Sequence, residues 1–286
     1  MRTDGGARRP HWASRVVVNT VVVLFAVYSL FPLLWLVTAA MKEPTNIFGS
    51  GLFDIDVTAI VGNVGNVVTT EGGIYPRWYL NSLLYAGLGA LLSSLIAVAA
   101  GYAFDKYRFR GKERLFAVVL LGVLVPIAAL ALPMYLVASQ VGVVNTFWAV
   151  FIPSLLNPFG VYLARVFSAS YVPDEVIEAS RIDGAGDLRT FSRVALPMML
   201  PGFVTVFLFQ FVSIWNNFFL PLIMLSDRTL YPLSVGLFAW NAQTNRFPEF
   251  YPLVITGSLL AVMPLVVAFV LLQRYWRSGL AIGAVK

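Results

Sequence analysis

Six predominantly apolar stretches, at residues 16–41, 79–104, 115–137, 146–166, 198–225 and 251–273, alternate with segments where the charged residues collect. A helix needs about 20 apolar residues to cross the hydrocarbon core of a bilayer. The pattern therefore predicts an all-α membrane protein with six transmembrane helices and both termini on one side. The first stretch follows Arg8, Arg9 and Arg15 and ends in Val37-Thr38-Ala39-Ala40, which looks like a signal-peptide cleavage site. Its apolar core exceeds the roughly 7–15 residues of a signal peptide, so retention as a spanning helix is expected. The division predicted is an N-terminal tail over 1–15, a membrane domain over 16–274 with a long polar loop at 168–197, and a C-terminal tail over 275–286.

Composition agrees with that solvent: 59% of residues are hydrophobic and 12% charged, about half the charge of a soluble domain. The basic residues set the orientation, because short loops rich in Lys and Arg stay cytoplasmic. Sixteen of the twenty fall on the side of the two tails, the 105–114 loop and the 168–197 loop, leaving Lys42, Arg77, Arg228 and Arg246 opposite. Both termini and the 168–197 loop are thus expected in the cytoplasm. The net charge of +6 flanks the apolar stretches and forms no stripe, which argues for membrane topology and against nucleic acid.

Enzymatic chemistry has little to work with. The chain has no cysteine and one histidine, His11, in the basic N-terminal tail, and no nucleophile–base pair or metal set stands out. It also lacks a G-x-x-x-x-G-K-[ST] phosphate loop, so any nucleotide must bind elsewhere. No acidic residue falls inside a predicted span, which counts against an ion-coupled carrier with intramembrane carboxylates. A structural subunit of a membrane complex remains a further class.

Amides do occur within the apolar stretches: Asn157 in the fourth, and Gln210, Asn216 and Asn217, beside Trp215, in the fifth. Amides in hydrocarbon need partners, either across helices or in a water-filled path for a polar solute. Prolines at 126, 133, 153, 158, 201 and 221 mark kinks or a gated path. Trp215 beside two amides suits a sugar's apolar face, whereas Trp12, Trp35, Trp78, Trp148, Trp240 and Trp276 read as an interfacial belt. The outer segments 42–77 and 226–250 are long enough for a docking surface or for crossovers along the lipid.

In the 168–197 loop, Pro173 and Asp174 open a helix of about two turns that stops at Asp183-Gly184. Val176, Ala179 and Ser180 would share a small-residue face, with Glu178 and Arg181 near the other side. Asp187 would cap a second helix running to residue 194. The segment reads either as a solvated surface helix or as an element that docks on a soluble partner.

Glu178-Ala179-Ser180, Asp183-Gly184-Ala185 and the later Leu196-Pro197 closely resemble the EAA loop of permease subunits of binding-protein-dependent ABC importers. The carbohydrate branch, with its maltose-type second permease, looks nearest. The likeness extends through Asn81-Ser82, Tyr102-Ala103-Phe104, Pro133, Val172-Pro173, Trp215-Asn216 and the terminal Gly283-Ala284-Val285-Lys286. Ser180 departs from the alanine of the motif.

The resemblance implies a type I importer permease fold, with five core helices and an additional N-terminal one. It implies that Glu178, Ala179, Ser180, Arg181, Asp183 and Gly184 meet a cytoplasmic ATPase; the amides Asn157, Gln210, Asn216 and Asn217, with Trp215, are the residues expected on the substrate path. It further implies a second permease, two ATPase subunits carrying ATP and magnesium, an extracytoplasmic solute-binding protein and a sugar as solute, with no cofactor in this chain.

Overall fold

The computed structural model describes residues 12–280. Most of both predicted tails, including Arg2, Arg8, Arg9, His11 and the Gly283–Lys286 terminus, therefore lies outside the described residues. All regular structure among the described residues is helical. Helix α1 (Trp12–Ala40) is apolar all round, and its membrane-length window is wholly unburied. It meets the body only at its C-terminal end, where Ala39 and Ala40 join Ile47 and Ile255.

Helices α2 (Ala59–Leu83) and α3 (Gly89–Lys106) run on through a single π-helical segment, Leu84–Leu88. The second span is thus preceded by a further helical stretch from residue 59, separated from it by a kink at Thr70, Glu71, Gly72 and Gly73, whose φ/ψ are not helical. The third predicted span is two helices, α4 (Lys112–Leu124) and α5 (Ile127–Gln140), meeting at 106°. Pro126 causes the break by forcing Val125 into an extended conformation. The fourth divides into α6 (Phe147–Ser154) and α7 (Pro158–Tyr171) at Asn157.

The polar loop forms α8 (Asp174–Ile182), α9 (Asp187–Thr190), a π-helical turn over Phe191–Ala195 and α10 (Leu196–Met198). An 80° bend leads into α11 (Leu200–Trp215), followed by α12 (Phe219–Met224). The fifth predicted span is therefore interrupted at Asn216, Asn217 and Phe218. Helices α13 (Leu233–Asn241) and α14 (Phe250–Leu280) complete the chain. Among the described residues four helical stretches are long and apolar enough to cross a membrane, and counting each of the two bent pairs as one span raises the number to six.

The segments 42–77 and 226–250 pack on one another through a clasp. Glu71 leaves α2 in a left-handed conformation (φ 51°), which the following Gly72 and Gly73 continue without a Cβ penalty. Its carboxylate accepts from Arg228 Nη2 at 2.6 Å, Arg228 Nη1 at 3.1 Å and Trp240 Nε1 at 2.7 Å. Trp78 Nε1 donates to the Arg228 carbonyl at 2.7 Å. Asn81 braces the Thr229 and Tyr231 carbonyls, and the Leu233 amide donates to Ser82 Oγ.

Trp78 and Trp240 are completely buried here and meet edge to face at 4.9 Å. They do not belong to the interfacial belt expected of them, because their indole N–H groups find acceptors inside the protein. Trp12, Trp35 and Trp148 are exposed, as a belt requires; the Trp276 side chain lies outside the described residues. Glu71→Gln would weaken the clasp without emptying it. The expected result is a loss of about 1–2 kcal/mol, discounted for the partial exposure of both partners, read as a lower unfolding temperature of the detergent-extracted protein.

Candidate coupling surface and solute cavity

Helix α8 begins and ends as its sequence dictates. Pro173 takes the extended N-cap position, and Asp174 and Glu175 place carboxylates in the first turn, at the positive end of the helix dipole. Gly184 takes φ 78°, with its amide bonded to the Arg181 carbonyl and that of Ala185 to the Ser180 carbonyl. This is a Schellman stop, in which glycine supplies the left-handed residue. Asp187 is the first residue of α9 and Gly186 its N-cap, so the expected Asp187 cap is not formed.

The faces of α8 differ from the expected ones. Ile177 and Ser180 point inward; Ile177 joins Val98, Tyr102, Ala164, Val172, Ala195 and Met199, while Ser180 Oγ lies 2.7 Å from Thr190 Oγ1. Ser180 thus braces the loop from within and is not part of the outer face. Outward lie Glu175, Glu178, Ala179 and Ile182, the last 86% exposed, with Leu188 of α9 also 80% exposed. Glu178 has no intramolecular partner among the described residues, and Arg181 pairs with Asp187 at 3.6 Å. A free carboxylate beside Ala179 and two bare aliphatic side chains makes a surface ready for a partner with a cation and an apolar cleft. Ile182 and Leu188 were not singled out from sequence, although large aliphatics in an otherwise charged loop are the signal.

The helix is fastened to the spans at its first residue. Lys106, at the end of α3, donates to Asp174 Oδ1 at 2.7 Å and lies 3.1 Å from Asp105 Oδ2. Ser168 Oγ of α7 donates to Asp105 Oδ2 at 2.7 Å. The hydrogen bond from Lys106 holds the Asp174 carboxyl below the usual aspartate range. Its stabilising charge is therefore fully present above that range and lost only in acid, so the contact is constant around neutral pH.

Among the bent helices lies a cavity of about 520 Å³, lined by α4 and α5, by α6, α7 and the break between them, and by α11, α12 and the break between those. Asn157, Gln210 and Asn217 converge on it together with Ser213, Phe159 and Phe219. Each amide is held. The Gly160 amide donates to Asn157 Oδ1 at 2.7 Å, which with Pro158 restarts the helix, and Gln210 Nε2 donates to the Ser154 carbonyl at 2.8 Å. Asn217 Oδ1 accepts from the Leu220 amide at 3.4 Å. Among the described residues no ionisable side chain lines the cavity.

Trp215 and Asn216, expected beside them, are elsewhere. Trp215 is buried against Phe211 and Tyr79 and donates to the Ala261 carbonyl at 3.1 Å; Asn216 turns back onto the Val212 carbonyl. Trp215 thus packs between helices, while Asn216, at the C-cap of α11, is exposed.

The fold is that of an ABC importer permease. It superposes on a chain of a bacterial ABC transporter involved in the import of the acidic polysaccharide alginate with a TM-score of 0.79 at 22% identity, covering 93% of this chain and 99% of that one. The chain belongs to the family of binding-protein-dependent transport system inner membrane components, whose pattern it matches over residues 89–281, and is a multi-pass membrane protein. It is 30% identical to the arabinooligosaccharides transport system permease protein AraQ of Halalkalibacterium halodurans, over 91% of this chain and 92% of that protein. It is 28% identical to the lactose transport system permease protein LacG of Rhizobium radiobacter, over 95% and 96%.

Proposed function

We propose that this chain is one of two permease subunits of an ATP-driven importer for uncharged carbohydrates in a bacterial plasma membrane. The observation that carries the reading is α8, which is anchored by Ile177 and Ser180 while presenting Glu175, Glu178, Ala179 and Ile182 to a partner. The partner is a cytoplasmic ATPase dimer holding ATP and magnesium, and Glu178 meets a basic residue in its cleft. The loop over 168–197, including Arg181, Asp183 and Gly184, forms the coupling element, and residues 16–274 form the membrane domain. Six spans with both termini cytoplasmic follow when each bent pair counts as one crossing, an arrangement supported by the sixteen-to-four division of basic residues.

The sugar assignment rests on the cavity and on the relatives' names. Three amides and a hydroxyl supply hydrogen bonds, and Phe159 and Phe219 supply apolar faces. A cavity without a cation offers no counter-charge to a uronate or a phosphorylated sugar. This chain provides half of the path; a second permease closes it, and an extracytoplasmic binding protein delivers the solute to the outer segments. ATP binding closes the ATPase dimer, moves the loop helices and turns the cavity outward.

Extraction of the tagged chain from its own membrane in mild detergent should bring down an ATPase and a different multispan protein, identified by mass spectrometry. Recovery of the chain alone, as a stable dimer, would overturn the proposal in favour of a secondary carrier.

A further inference from the structure

Movement of α8 has to reach the cavity through particular contacts, and these divide between its two ends. The C-terminal end is held to α9 by the Ser180–Thr190 hydroxyl contact, and α9 continues through the π-helical turn and α10 to α11, which carries Gln210. The N-terminal end is held by Lys106. Its side chain is only 8% exposed, although Asp174 is 78% exposed, so the ammonium is sheltered between two carboxylates at the corner where α3, α7 and α8 meet.

The chain of contacts runs from Asp174 on α8 to Lys106 and Asp105 on α3, and then to Ser168 on α7. Lys112 closes the corner by donating to the Asp105 and Tyr107 carbonyls, both at 3.1 Å. Helix α7 leads away from that corner. It runs from Ser168, without an internal proline, back to Asn157 at the cavity wall. A length of fourteen residues makes it a strut of roughly 20 Å.

We infer that Lys106 is the positioning residue that locks the first turn of α8 to α3 and α7, so that the stroke of the coupling helix moves Asn157 at the cavity. The inference rests on the importer reading. Without this lock the first turn of α8 keeps the non-directional packing of Ile177 in the cluster with Val98, Tyr102 and Ala164 and the extended backbone of residues 172–173, neither of which fixes its orientation, and the stroke is taken up there. Hydrolysis then continues while translocation fails. A lock of this kind needs a cation able to bridge two carboxylates at once; arginine can do so and methionine, of similar length, cannot.

The test uses the whole importer reconstituted in liposomes, with solute translocated and ATP hydrolysed measured in the same sample. Lys106→Met and Asp174→Asn should each leave the complex assembled and hydrolysing ATP while the solute moved per ATP falls by about tenfold or more. Lys106→Arg should restore most of the ratio. A ratio unchanged in Lys106→Met would overturn the inference, and so would a parallel fall in assembly, hydrolysis and transport that arginine does not rescue, since that is the mark of a purely structural residue. Failure of the unaltered chain to support ATP-driven uptake would instead overturn the importer reading.

Discussion

Gly101→Leu is expected to leave almost no folded protein. At this position α3 and α7 approach so closely that a Cβ would lie 2.4 Å from Ala164 Cβ, 2.6 Å from the Arg165 amide nitrogen and 2.7 Å from the Ala164 carbonyl carbon. Two of those atoms are backbone, so no rotamer change relieves the overlap, and both Gly101 and Ala164 are buried. Separating the helices would also strip Val98, Tyr102, Val172 and Ile177 from one shared cluster, detaching α8 from the spans. Overpacking of a close-packed interior costs typically about 1–3 kcal/mol. Here the clash is with main chain and propagates to α8, so the upper end or more is expected. The readout is the monodisperse fraction of detergent-extracted protein, with Gly62→Ala as the comparison. Gly62 is in α2, and nothing lies within 4 Å of its would-be Cβ. That change should stabilise by about 0.5–1 kcal/mol, because alanine loses less backbone freedom on folding. Equal yields for the two variants would show that the α3–α7 approach is looser than described.

Much of the arrangement was legible where local chemistry decides it. The limits of α8 follow from Pro173, the early carboxylates and Gly184, all of which act within one or two turns. The apolar stretches likewise marked every membrane-length helix, because hydropathy summed over 20 residues outweighs single polar groups. What failed depended on distant partners. Trp78 and Trp240 look interfacial until Arg228 and Glu71 arrive from elsewhere in the chain to accept their N–H groups. Ser180 looks like a docking residue until Thr190 takes its hydroxyl, and the inner face of α8 is fixed by Ile177, one turn earlier. Trp215 and Asn216 share a sequence neighbourhood with Asn217 but are turned away from it by the end of α11. The break at Asn157 was readable, since Asn-Pro-x-Gly combines an N-cap, a proline at the first helical position and a residue small enough for the cap to close over. A Cβ on Gly160 would fall 2.4 Å from the Asn157 amide nitrogen. The Lys106 corner was not readable, because the end of α3 meets there two residues that lie more than sixty positions later in the chain.

Glu178→Lys is expected to abolish ATP-driven uptake while leaving this chain folded and inserted. Glu178 projects from the middle of α8, is exposed and has no hydrogen-bond or ion-pair partner among the described residues, so its replacement takes little from the fold. Lysine is also a good helix former, and the anchors Ile177 and Ser180 are untouched. In the proposed docking, however, the side chain is enclosed with a cation of the ATPase. Reversal then opposes two positive charges where water has been excluded, and breaking a buried pair costs about 3–5 kcal/mol. Since each 1.4 kcal/mol is tenfold, the ATPase should be held at least about 100-fold more weakly. Uptake and co-purification of the ATPase should be lost together, whereas the unfolding temperature of the chain alone should match the unaltered protein. Glu175, one turn closer to the Lys106 corner, offers the comparison: it shares the outer face but not the central position, and its reversal should weaken uptake without abolishing it. Full uptake by the Glu178→Lys importer would remove the coupling role from α8, and with it the observation on which the functional proposal stands.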